Sequence, residues 1–112
     1  MQSRGQQFEA LALAYLQQQG LVLQAQNVRC RYGELDLVMQ HNGCLVLVEV
    51  KYRASAQYGS AAAMVTRQKQ QKLQTAAHWY LQHIQWQGPV RFDVIAIEGD
   101  APYQWNWFQN AF

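Results

Sequence analysis

Apolar residues along this chain recur with two different periods, and the switches between them divide it into elements. Over residues 3–19, Phe8, Leu11, Ala12, Tyr15 and Leu16 fall at the i, i+3, i+4, i+7 spacing of one helix face, and Gly20 is a natural stop. Residues 21–29 read as a first strand with imperfect alternation. Tyr32-Gly33 turns the chain into a second strand over 34–40. His41-Asn42-Gly43 places an Asn-Gly signal between two apolar runs, which predicts a tight hairpin into a third strand over 44–53. Leu45 to Val50 is apolar on both faces, as suits a covered central strand. A small-residue loop over 54–65 contains Tyr58-Gly59-Ser60. Thr66 then caps a second helix to about residue 85, with Leu73, Ala76, Ala77, Tyr80, Leu81 and Ile84 as its stripe. Gly88-Pro89 ends it, and 90–98 is a fourth strand, again apolar on both faces.

The order is α-β-β-β-α-β. A helix between strands 3 and 4 predicts a parallel crossover pair, and strands 1 to 3 an antiparallel meander. The tail over 103–108 alternates aromatic and polar residues. It reads as a short strand or helical turn packing its rings on the core, with a dimer contact or base-stacking platform as the alternative.

At 112 residues the chain has room for one core, so 1–112 is a single domain. It is 50% hydrophobic and 14% charged, a globular composition. No apolar run approaches the ~18 residues of a membrane span, and the N-terminal residues lack a signal peptide's basic start and apolar core. Cys30 and Cys44 form no CxxC or metal-ligand spacing, so a reduced cytoplasmic protein is the simplest expectation. The net charge of +2 is too small to indicate nucleic acid, but its distribution is uneven. No acid lies between Val50 and Phe92, whereas Lys51, Arg53, Arg67, Lys69, Lys72 and Arg91 do. The bland reading of that run is a solvated basic face; the sharper one is a surface for an anionic polymer.

The charges inside the strands carry more weight. Glu34 and Asp36 stand two apart on strand 2, and Glu49 and Lys51 two apart on strand 3, so strict alternation puts each pair on one face. An isolated ExK is most simply an ion pair covering a sheet. Four ionisable groups on two apolar strands are harder to explain as packing, because buried charge is costly unless paired or metal-bound.

Taken together, these residues resemble the YraN family of small bacterial proteins, within the PD-(D/E)xK nuclease superfamily and its Holliday-junction-resolvase-like members. The resemblance is carried by Gly5 and Glu9, Asn27-Val28-Arg29, Gly33-Glu34-Leu35-Asp36-Leu37-Val38, Val48-Glu49-Val50-Lys51 with Arg53, Tyr58-Gly59, Lys69 and Leu73, Arg91-Phe92-Asp93-Val94 and Asn110-Ala111-Phe112. It implies an α/β, restriction-endonuclease-like αβββαβ core with a mixed four-stranded sheet flanked by helices. It also implies Asp36, Glu49 and Lys51 as catalytic residues. Mg²⁺ or Mn²⁺ is expected on Asp36, Glu49 and the Val50 carbonyl, with Glu9 and Glu34 as further candidate ligands. No Pro precedes Asp36, so the literal PD is absent.

The leading expectation is a divalent-metal-dependent endonuclease acting on DNA, branched or otherwise structured, in repair or recombination. Arg53, Tyr58, Lys69 and Lys72 are its candidate nucleic-acid contacts, and Asp93 beside Arg91 is expected to be structural. The competing expectations are a nucleic-acid-binding module that does not cut, and a protein-interaction subunit that docks through Trp105 and Trp107. The aromatic tail is also compatible with a homodimer.

Overall fold

Local signals start and stop the elements where the periodicity changes. Ser3 begins the first helix with a reciprocal cap: its hydroxyl accepts from the Gln6 N–H, and the Gln6 side chain accepts from the Ser3 N–H. In the computed structural model, which describes residues 3–54 and 65–112, α1 spans Arg4–Gln18 and is followed by β1 (Val22–Cys30), β2 (Gly33–His41) and β3 (Cys44–Arg53). Asn42 and Gly43 both take positive φ, +52° and +81°, so β2 and β3 are joined by the two-residue turn whose twist matches paired strands. Thr66 caps α2 (Arg67–Ile84) by accepting from the Lys69 N–H, and Gln85 ends it in the left-handed region. β4 (Val90–Glu98) and β5 (Gln104–Phe108) complete the chain.

Among the described residues the sheet has five strands in the order β1-β2-β3-β4-β5. The meander of β1 to β3 is antiparallel, and β3 and β4 are parallel, as the crossover predicts. The expected four strands become five because the tail forms β5, antiparallel to β4 from Val94↔Phe108 to Glu98↔Gln104. Helices α1 and α2 each cover one face. Phe8, Ala12 and Leu16 of α1 pack on Leu37, Met39, Val46, Val48, Ile95 and Ile97. Leu73, Ala76, Ala77 and Tyr80 of α2 pack on Leu35, Val38, Leu45, Leu47 and Val94. Among the described residues, no helix is long and apolar enough to cross a membrane.

The tail rings are engaged with the chain's own core. Trp105 stacks on Tyr15 with centroids 4.6 Å apart, and Phe112 stacks on Phe92 at 4.9 Å. The expectation that the alternating tail packs as a short strand therefore holds, and the rings offered for docking a partner are half-buried.

Asp93 fastens this tail. It is fully buried on β4 and accepts from Arg91 Nε (2.9 Å) and Nη2 (3.0 Å), the Trp107 indole N–H (2.8 Å) and the Asn110 N–H (3.0 Å). The structural role expected of Asp93 is thus what the geometry shows. Removing a buried carboxylate that satisfies a half-buried guanidinium, an indole N–H and a backbone N–H leaves donors short of a partner. Asp93→Ala is expected to lower unfolding stability by about 3–5 kcal/mol in urea titrations, with loosening of β5 visible as a change in tryptophan emission.

Candidate active site

The candidate site forms where β2 and β3 part. Their ladder runs from His41↔Cys44 to Leu37↔Val48 and goes no further. Beyond it Asp36 replaces the missing strand partner: its Oδ2 accepts from the Val50 N–H at 3.1 Å. The strand changes face here. Leu35 packs under α2 while Leu37 packs under α1, so two-residue alternation breaks across Asp36. The strict alternation from which a shared face for Glu34 and Asp36 is expected therefore does not hold through Asp36, and the two acids take different partners. Glu34 pairs with Arg29 at 3.4 Å, whereas Asp36 turns to β3.

On β3, Glu49 is only 5% exposed and meets two ammonium groups. Lys69, from the first turn of α2, lies 2.6 Å from Glu49 Oε1, and Lys51 lies 3.6 Å from the same oxygen. The predicted pairing of Glu49 with Lys51 on one face is therefore present, but Lys69 makes the closer contact. Burial, reinforced by the charge of Glu49, pushes the Asp36 carboxyl up to about 7. Burial and then the neighbouring Lys69 lower the Lys51 ammonium below its ordinary range. Lys69 is also partly desolvated, which works against its charge, but Glu49 and the Lys51 amine outweigh this and hold it above the ordinary lysine range.

A second acidic pair stands beside the first. With its amide turned to donate, Asn27 on β1 bridges Glu9 Oε1 (2.8 Å) and Glu34 Oε1 (2.9 Å). Burial, and then Glu34, raise the Glu9 carboxyl. Asn27 has φ of +50° in the middle of a strand, a conformation asparagine tolerates better than most residues. The local sequence pattern gives it no role. The available signal was an asparagine, a poor strand former, inside a strand pattern opposite the acids.

The remaining candidate residues separate. Arg53 is not a free phosphate contact: its side chain is 12% exposed and its Nε is 3.0 Å from the buried Glu98. A guanidinium so far desolvated needs a carboxylate, and β4 supplies it. Tyr58 lies outside the described residues. Lys72 is exposed and, with Lys69, Thr66, Gln68 and Glu34, lines a groove of about 320 Å³ beside the site. Among the described residues, no three carboxylate, imidazole or thiol side chains converge as a ready-made metal cage.

Comparison with known proteins sets these residues in a family. The model of "Uncharacterised protein family UPF0102" matches residues 8–97. The chain belongs to the UPF0102 family. This is the YraN family anticipated from the sequence. Similar relatives include UPF0102 proteins of Aeromonas hydrophila, 50% identical over 98% of this chain and 85% of the relative, and of Pseudomonas syringae, 50% identical over 99% and 94%. One from Nitrosomonas europaea is 43% identical over 98% and 93%. The span matched to UPF0102 contains Glu9, Asn27, Glu34, Asp36, Glu49, Lys51 and Lys69, and ends before β5.

The raised Asp36 carboxyl makes this UPF0102 chain's stability depend on pH. The folded state holds a proton that the unfolded chain, with its ordinary carboxyl near 3.8, gives up. Stability from this group is full at the acid end and falls as pH rises toward about 7. Asp36→Asn keeps an acceptor for the Val50 N–H but cannot ionise. Its thermal midpoint is expected to match wild type near the acid end and to exceed it increasingly as pH approaches 8. A difference independent of pH would contradict this assignment.

Proposed function

We propose that this UPF0102 protein is a divalent-metal-dependent phosphodiesterase acting on DNA. The observation that carries the reading is the pair of desolvated carboxylates, Asp36 and Glu49, lining one cleft beside two lysines where the sheet opens. Like charges held together out of water favour protonation or a cation. The donors are hard oxygens of the kind Mg²⁺ and Mn²⁺ take, and two carboxylates completed by substrate and water are a usual number for Mg²⁺. The residues therefore fit the ion. Asp36 and Glu49 would hold it together with the Val50 carbonyl, and Glu9, itself beside Glu34, is close enough to adjust the local charge. When bound, such an ion supplies charge neutralisation at a phosphate and a more acidic water.

The chain's own groups do the rest. Lys51 sits on rigid β3, and its lowered ammonium can donate to a phosphate oxygen or give up a proton more readily than an ordinary lysine. The Val50 N–H fixes Asp36, and packing of β3 between β2 and β4 fixes Glu49. Lys72 and the groove beside it offer positive charge to the flanking backbone. Branched or otherwise structured DNA, in repair or recombination, is the substrate class the superfamily resemblance favours.

A second reading has an observation of its own. Glu49 is already met by two ammonium groups, as it would be in a nucleic-acid-binding module that does not cut.

Calorimetric titration of Mn²⁺ and Mg²⁺ into wild type and Glu49→Ala separates the two, run beside cleavage assays on branched, nicked and single-stranded DNA. Glu49-dependent metal binding is expected. So is cleavage that falls at least about 100-fold in Asp36→Ala, Glu49→Ala or Lys51→Ala, the scale of removing metal-assisted charge stabilisation. Wild-type cleavage by Glu49→Ala would sink the mechanism. DNA binding unchanged in EDTA, with no cleavage in Mn²⁺, would establish the binding module instead.

A further inference from the structure

Lys69 does something the ExK pattern does not require. It reaches from another element, α2, to the Glu49 oxygen that Lys51 also faces, and approaches it at 2.6 Å against 3.6 Å for Lys51. An ammonium hydrogen-bonded at that distance occupies the direction in which the oxygen would meet a cation. Lys69 is also the more movable of the two. Its side chain is 42% exposed, twice the 21% of Lys51, and it forms part of the groove wall with Thr66, Gln68 and Lys72. Rotation about its own side-chain bonds takes the ammonium from Glu49 into that groove without moving the helix.

The groove has a deficit of negative charge for an ammonium arriving there. The first turn of α2 contains Arg67 and Lys69 and no acid, although a helix N-terminus favours anions. Glu34, the one acid among the described residues of the groove wall, is already engaged by Arg29 and by Asn27. A phosphate oxygen from outside is the group that matches.

Resting on the metal-site reading, we infer that Lys69 is the internal counter-ion of Glu49, displaced by an incoming divalent cation into the adjoining groove, where it holds a phosphate of the substrate. Lys69 is on this account a positioning residue that couples metal loading to substrate binding. It keeps Glu49 neutralised in the metal-free protein and becomes available to the nucleic acid only after the metal arrives.

The test is the affinity of the full chain for Mn²⁺ alone, by calorimetry, in wild type, Lys69→Met, Lys72→Met and Glu49→Ala. Removing a competitor worth one charge-assisted hydrogen bond is expected to tighten Mn²⁺ binding roughly tenfold in Lys69→Met. Lys72→Met removes the same charge from the same groove without touching Glu49 and is expected to change affinity less than about twofold, as exposed charges do. Mn²⁺ is also expected to raise the thermal midpoint more in Lys69→Met than in wild type, because the variant leaves Glu49 with the longer Lys51 contact alone. Lys69→Gln serves should the methionine variant fail to fold.

Equal tightening in the Lys69 and Lys72 variants would reduce the effect to general electrostatics and overturn the inference. Unchanged affinity in Lys69→Met, with binding still abolished by Glu49→Ala, would overturn it while leaving the metal site standing. No Mn²⁺ binding by any of the proteins would remove both.

Discussion

A small chain that covers both faces of its central strands leaves little water for the acids those strands carry, so each acid must find its partner within the fold. Two of them do so fully. Asp93 gathers Arg91, the Trp107 indole and the Asn110 backbone, and Glu98 gathers Arg53 and Asn106. These two carboxylates tie β5 to β4, and the tail becomes part of the sheet because its donors are needed there. Buried charge satisfied in this way specifies geometry more than it adds stability.

The other acids of the sheet are arranged differently. Glu34 and Glu49 raise the Glu9 carboxyl, Glu49 and Glu9 raise that of Asp36, and Asp36 is held chiefly by one backbone N–H. The contrast lies within one sheet, a few residues apart. Where β3 and β4 stay paired, Asp93 and Glu98 meet matched cations. Where β2 and β3 part, Asp36 and Glu49 line one cleft, and the lysines come from β3 itself and from the start of α2. An arrangement that is poor for stability alone, at a place where strands open, is what a site for an ion or anionic ligand requires.

Asn27 and Lys69 show how tertiary packing completes such a site. Asn27 lies on the edge strand and bridges acids from α1 and β2. Lys69 is brought over Glu49 by the crossover that makes β3 and β4 parallel, since the same connection sets α2 against β2. Neither residue neighbours its partners in sequence, and neither contact follows from local pattern.

The sequence by itself determined most of the architecture. Periodicity placed both helices and the strands, Asn42-Gly43 set the hairpin, and the ExK on an apolar strand marked Glu49 and Lys51. Those features are local: they depend on residues two to four apart, which backbone geometry alone brings together. Tertiary structure decided what alternation could not. It broke the face of β2 at Asp36, because a side chain there replaces a lost ladder bond. It moved Arg53 from a presumed surface into a pair with Glu98, because a strand end that looks exposed in sequence is covered by its parallel neighbour. It turned an aromatic tail into a fifth strand, because Asp93 needed donors from that tail. The shared cause is desolvation: which charges lose water, and which groups replace it, is fixed only when distant segments pack.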